Sequence, residues 1–147
     1  MELILWRHAD AADGLPDSER RLTSKGQKQA ERMAEWLLER LPKDARVLVS
    51  PARRAQETAQ ALGRKFETCS DLGTSATAHS VLKAAGWPKG DRVVVLVGHQ
   101  PTLGEAAALL ISGQAGALSV KKGAIWWFSG RRDEATVVRA VVSPDLL

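Results

Sequence analysis

The chain has 147 residues, 44% of them hydrophobic and 26% charged, and carries a formal net charge of +4 at pH 7. That length fits one domain, residues 1–147, able to bury a sizeable core. No apolar run approaches the ~20 residues of a membrane span, and the 3 scattered histidines and 1 cysteine make no structural zinc set. The basic residues are interleaved with acids and form no stripe with stacking aromatics, which argues against a nucleic-acid partner. Cys69 has no partner for an internal disulfide, and the N-terminus lacks the basic n-region of an export signal. Together they predict a cytoplasmic location.

Residues 2–6 read as a buried strand that runs at once into Arg7-His8-Ala9-Asp10. A polar loop, residues 9–22, holds Gly14 and Pro16. Thr23 or Ser24 caps a helix expected to reach about Leu41. Its apolar stripe is Ala30, Met33, Ala34, Leu37 and Leu41, and Pro42 stops it. A strand over 46–49 leads into Ser50-Pro51-Ala52-Arg53-Arg54. The helix that follows buries Ala55, Thr58, Ala59 and Leu62 and ends at Gly63. A short strand is expected over 66–70 and a helix over about 75–85, closed by Gly86. The strand over 92–97 is apolar on both faces, as a central parallel strand should be. It ends in Gly98-His99-Gln100-Pro101, after which Thr102 caps a helix to about Ile111. Two late strands, 123–128 and 136–142, are close enough to pair as an antiparallel edge. In the tandem Trp126-Trp127, one ring should face the core and the other outward. The alternation predicts a three-layer α/β/α domain around a mostly parallel central sheet.

In open α/β sheets, ligands bind at the carboxyl ends of the strands. His8 and His99 both follow a strand, and Arg7 and Arg54 stand beside such ends, so the pattern describes a site for a dianionic phosphoryl group. A neutral His8 imidazole can attack phosphorus and form a phosphohistidine. Arg7 and Arg54 offer planar forks for phosphate oxygens. His99 can donate to an oxygen as charge builds there. Arg53 points away from Arg54 on the helix and should be solvated. His79 and Cys69 have no motif support and read as a surface residue and a small core hydrophobe.

Arg7-His8, Leu22-Thr23-Ser24-Lys25-Gly26, Ser50-Pro51 with Arg54 and Thr58, and Gly98-His99 together resemble the histidine phosphatase superfamily, which includes the phosphoglycerate mutases. The short chain without a helical insertion looks most like the SixA-type phosphohistidine phosphatases. The resemblance spans roughly residues 2–128 and implies a minimal phosphoglycerate mutase-like fold. It implies His8 as phospho-acceptor, Arg7, Arg54 and His99 as the phosphate pocket, and Arg20 as a further substrate-binding arginine. Ala9 stands where many members have Gly, and Gln100 where Asn is frequent. The general acid is Asp71 or Asp10, or none is needed, because a phosphoramidate substrate asks less of an acid. No metal or other cofactor is expected. The implied partner is phosphohistidine on a protein, such as a histidine-phosphotransfer domain. The rivals are a phosphatase of small phosphate esters and a non-catalytic module that binds phosphorylated partners. A mutase fits a short chain poorly, and the sequence carries no sign of oligomeric state.

Overall fold

The computed structural model describes residues 1–147. Strands β1 (Glu2–Arg7), β2 (Arg46–Val49), β3 (Glu67–Thr68), β4 (Val93–Gly98), β5 (Ile125–Ser129) and β6 (Val137–Val142) form one six-stranded sheet of order β3-β2-β4-β1-β5-β6. Pairing is parallel from β3 through β1 and antiparallel for β5 and β6. Helices α1 (Ser24–Leu38), α2 (Arg53–Gln60), α3 (Ala78–Ala85) and α4 (Thr102–Ser112) cover both faces.

The two-residue period of a strand sorts the core into two halves. Leu3 and Leu5 of β1 join Val94 and Leu96 of β4 under α3 and α4. Ile4 and Trp6 join Val95 and Val97 under α1 and α2. Every residue of β4 is buried, because both faces carry helices and both edges carry strands. Each such aliphatic side chain stabilises the fold by about 1.5–3 kcal/mol relative to exposure. Helix α1 lays Met33, Ala34 and Leu37 on the sheet, and the Thr23 hydroxyl caps it by accepting from the Gly26 N–H at 3.0 Å. No helix is long and apolar enough to cross a membrane.

Several boundaries differ from the sequence reading. Helix α1 ends at Leu38 rather than near Leu41. The N–H groups of Arg40 and Leu41 both turn in to the Leu37 carbonyl, so the chain leaves the helix before Pro42. Helix α3 starts at Ala78, because Thr77 and Ser80 form a reciprocal capping box there. Thr102 is the first residue of α4 and does not cap it; its hydroxyl donates instead to the Ala76 carbonyl at 3.2 Å. Strand β3 shrinks to two residues. Neither tandem tryptophan faces solvent freely: Trp127 packs in the α1/α2 half of the core and Trp126 against the α3/α4 half. Both faces of the sheet are covered, so alternation swaps one interior for the other.

Gly26 touches the loop after β1. A Cβ built there collides with the Asp10 backbone carbonyl. Helix propensity alone predicts that Gly26→Ala stabilises by about 1 kcal/mol. Forcing atoms into a packed contact costs about 1–3 kcal/mol, and backbone gives way less readily than a side chain. The expected outcome is a lower Tm for Gly26→Ala; a raised Tm in thermal unfolding would refute the contact.

Candidate active site

The site forms where strand order departs from chain order. Strand β4 lies between β1 and β2, with Arg7 opposite Gly98 and Val49 opposite Val97. The pairing continues one residue past each strand. The His8 N–H donates to the Gly98 carbonyl at 3.0 Å, and the Ser50 N–H donates to the Val97 carbonyl at 3.0 Å. His8, Ser50 and His99 therefore emerge side by side at one carboxyl edge. The two imidazoles stand 5.3 Å apart between centroids, tilted by 55°.

His8 Nδ1 lies 2.8 Å from the Ala9 carbonyl oxygen. A carbonyl can only accept, so Nδ1 holds the proton and Nε2 holds the lone pair. Nε2 has no protein partner and is not among the atoms sealed from solvent. Burial, with further contributions from His99, Arg54 and Arg7, pushes the His8 pKa down to about 3, although the Ala9 bond works the other way. His8 is thus neutral at pH 7. Burial, then the Arg54 charge, pushes His99 down to about 4. His99 Nε2 lies 2.7 Å from the Ser50 hydroxyl, which accepts from the Ala52 N–H at 3.2 Å.

Arg7 donates through Nη1 to the Val120 carbonyl at 2.9 Å. Arg54, only 4% exposed, donates through Nη1 to the Asp17 carbonyl at 2.9 Å and through Nη2 to Asp17 Oδ2 at 3.2 Å. Three buried side-chain nitrogens have no partner in the whole protein: Arg7 Nε, Arg54 Nε and His99 Nδ1. Each such group left unpaired costs about 1–3 kcal/mol. All three belong to residues that act electrostatically on His8.

Backbone contacts fix this cluster. The Ala9 N–H donates to Thr58 Oγ1 at 3.0 Å, and that hydroxyl donates to the Arg54 carbonyl at 2.7 Å, tying the loop after β1 to α2. The Gly123 N–H donates to the carbonyls of Arg7 and His8. Ala9, fully buried, packs its methyl with Leu22 and Ala30. Gln100 accepts from the Gly104 N–H at 2.7 Å and donates to the Leu118 carbonyl at 2.9 Å, so its amide braces α4.

Of the residues singled out in the sequence, His8, Arg7, Arg54 and His99 come together. Arg53 is exposed and paired with Glu57 at 3.5 Å. Arg20 spends its Nε on the Ala12 carbonyl at 2.8 Å and its Nη1 on Asp17 Oδ1 at 3.2 Å, so it meets the cluster through Asp17. Asp71 is exposed in a short 3-10 turn, Ser70–Leu72, and its carboxylate bonds none of the four. Asp10 accepts from the Thr23 hydroxyl at 2.7 Å and from Lys122 at 3.0 Å. Those donors hold its carboxyl below the usual range, which unsuits it as a proton donor. His79 is exposed, and Cys69 is half-buried against the α3/α4 core. No group of three or more His, Cys, Asp or Glu side chains gathers as a metal cage. Asp17 and the Ser50–His99 contact escaped the sequence reading. The one local signal for Asp17 was an acid three residues before Arg20.

The model of the histidine phosphatase superfamily (branch 1) matches residues 3–78. The chain is 32% identical to the phosphohistidine phosphatase SixA of Escherichia coli (strain K12) over 127 residues, 78% of this chain and 76% of that protein. It is 33% identical to the SixA homolog of Haemophilus influenzae over 75% of this chain and 77% of the other. Among solved structures, the protein histidine phosphatase SixA complexed with tungstate superposes with a TM-score of 0.82 at 25% identity, over 99% of both chains. An Escherichia coli structure described as a putative alpha-ribazole-5'-P phosphatase gives a TM-score of 0.72 at 19% identity over 98% of each chain, a likeness of fold.

The two buried histidines make stability depend on pH. Their folded-state values, about 3 and about 4, lie below the ordinary 6.5. Between these limits the unfolded chain binds protons that the folded chain does not, so stability is complete above 6.5 and falls as pH drops. Each histidine contributes a slope of up to about 1.4 kcal/mol per pH unit. Denaturant unfolding from about pH 7 to about pH 5 should show this loss, and His8→Ala should reduce it. An undiminished slope in His8→Ala would contradict the burial of a neutral ring.

Proposed function

The chain belongs to the histidine phosphatase superfamily, and from that premise we propose that it is a phosphatase that hydrolyses phosphohistidine on a protein through a phospho-His8 intermediate. The observation that carries the reading is the trio of unpaired buried nitrogens on Arg7, Arg54 and His99, three residues close enough to act electrostatically on His8, whose Nε2 is free. The relatives named as phosphohistidine phosphatases support the choice of substrate.

In the first step, His8 Nε2 attacks phosphorus as the P–N bond to the substrate imidazole breaks. The Ala9 carbonyl accepts from Nδ1–H throughout, so the developing positive charge on the His8 ring is spread towards a fixed dipole. The departing imidazole takes its proton from solvent. Arg7 and Arg54 each give Nε–H to a phosphoryl oxygen. With its oxygen already accepting from the Ala52 N–H, the Ser50 hydroxyl is assigned as the donor to His99 Nε2, and a neutral His99 then carries its proton on Nδ1, for a third oxygen. Water then attacks phospho-His8, frees inorganic phosphate and restores Nε2. A protonated imidazole is a good leaving group, so the step does not require a carboxylic acid poised beside the bond. An alkyl ester expels an alkoxide and does require one. Neither Asp10, held ionised, nor exposed Asp71 is placed for that task.

Phosphate release from a phosphohistidine protein should exceed release from sugar or alkyl phosphates by a wide margin in kcat/KM. Efficient turnover of a sugar phosphate with none of phosphohistidine would move the assignment to small esters. Rapid quench with labelled substrate should trap an acid-labile phosphate on His8, and His8→Ala should be folded and inactive. Label on another residue would overturn the mechanism. Arg54→Ala should slow turnover by about 10²–10³-fold, as for the loss of a ~3–4 kcal/mol transition-state contact. Arg53→Ala, which removes only a solvated ion pair, should stay near wild type; equal losses would mean that Arg54 does not face the phosphoryl group.

A further inference from the structure

Asp17 is the one carboxylate ion-paired to an arginine of the cluster. It sits in an exposed 3-10 turn, Asp17–Glu19, that buries none of its residues. The turn therefore contributes nothing to the core, yet it meets Arg54 twice. The Asp17 carbonyl accepts from Nη1 at 2.9 Å and Oδ2 accepts from Nη2 at 3.2 Å. The other carboxylate oxygen, Oδ1, accepts from Arg20 Nη1 at 3.2 Å, while Arg20 Nε is anchored on the Ala12 carbonyl at 2.8 Å. Arg20 thus fixes Asp17, and Asp17 fixes Arg54.

A guanidinium is planar with its five N–H groups in a rigid fork. Holding both terminal nitrogens on one residue sets the plane of the fork and its rotation. The edge left over is Nε–H with the second proton of Nη2, and Arg54 Nε has no partner in the protein. We propose that Asp17 is a positioning residue, which clamps the terminal nitrogens of Arg54 so that the Nε edge meets the phosphoryl oxygens beside His8. The proposal rests on the phosphatase reading and assigns a task to a residue that touches no substrate itself. Arg20 is then the outer support of the clamp. Only the Asp17 side of the pair is exposed to water; the Arg54 side chain is 5% exposed. The Asp17 charge also reaches His99, where it favours the protonated ring against the effect of burial.

Three roles for Asp17 predict different kinetics. A clamp works through Arg54, a proton donor works on the leaving group, and a plug obstructs the substrate. The experiment is a double-mutant cycle of Asp17→Ala and Arg54→Lys, with Asp17→Asn as the conservative variant. It reads kcat and KM on a phosphohistidine protein, Tm, and the Kd for inorganic phosphate. Misplacement of a catalytic group by about 1 Å can cost up to about 10²-fold, so Asp17→Ala should lower kcat by about tenfold, with KM within about twofold. Asp17→Asn keeps an acceptor for Nη2 and should lose no more than about threefold. In the Arg54→Lys background, whose ammonium has no fork to orient, Asp17→Ala should add less than about twofold, the signature of coupled residues. Tm is read for every variant, because Asp17→Ala leaves the buried Arg54 charge without its carboxylate; a kcat loss measured well below Tm is then separate from unfolding.

A gain in kcat/KM for Asp17→Ala would make the carboxylate a plug. Asn as damaging as Ala, or equal losses in both backgrounds, would make Asp17 an independent participant; either result overturns the clamp. The phosphate Kd separates this proposal from the one beneath it. If the wild type turns over no phosphorylated substrate, the phosphatase reading fails. The clamp is then judged on phosphate alone: it stands if Asp17→Ala changes Kd with Arg54 present and not with Lys there, and falls otherwise.

Discussion

The hydrogen-bond ladder that seats β4 between β1 and β2 is the constraint on which everything else rests. β1 and β2 follow one another in the chain, yet they never touch in the sheet. Each pairs with β4 in parallel, so three strands end at one edge and in one direction. The ladder continues into His8 and Ser50, whose N–H groups bind carbonyls of Gly98 and Val97. His8 and Ser50 are therefore held by backbone bonds of the sheet and not by a loose loop. Six buried residues on β4, with helices above and below, keep that central strand from shifting. A slip of one residue would turn every side chain to the opposite face.

Burial on this edge carries an electrostatic cost that shapes the site. Two imidazoles and two guanidiniums are gathered in a space where His8, His99 and Arg54 are each less than 8% exposed. Both histidines answer by staying neutral. The arginines cannot lose their charge in this way. Arg54 takes a carboxylate, Asp17, and Arg7 takes a carbonyl. What is left unsatisfied is one nitrogen on each of Arg7, Arg54 and His99. The same desolvation weakens the fold at low pH and keeps both imidazoles uncharged at neutral pH.

The supporting contacts give the spacing of these residues a physical reason. Thr58 lies one turn after Arg54 on α2, and from there its hydroxyl reaches both the Arg54 carbonyl and the Ala9 N–H. Gly26 lies one turn into α1, where it passes the Asp10 carbonyl too closely for a side chain. Thr23 caps α1 and also bonds the Asp10 carboxylate. Asp10 thereby holds the loop after β1 to α1 and to Lys122. Ala9 and Gln100 depart from the family pattern without disturbing this frame: one methyl fills a small apolar pocket, and one amide braces α4.

Local periodicity in the sequence determined the strands β1, β2, β4, β5 and β6, the buried stripe of α1, and the presence of His8, His99 and Arg54 at strand or helix ends. It also separated Arg54 from its neighbour Arg53, because successive helical residues diverge by about 100°. These features follow from steric rules that act within a few residues. The rest was decided by contacts between segments far apart in the chain. Ser50 meets His99 across 49 positions, Ala9 meets Thr58 across 49, and Asp17 meets Arg54 across 37. Trp126 is covered only because α3 and α4 pack on its face of the sheet. Asp71, attractive by its place in the sequence, stays in solvent because its turn follows the two-residue edge strand β3. Strand order is a global choice, set by which buried surfaces fit together, and a pattern that repeats every two or 3.6 residues carries no record of it.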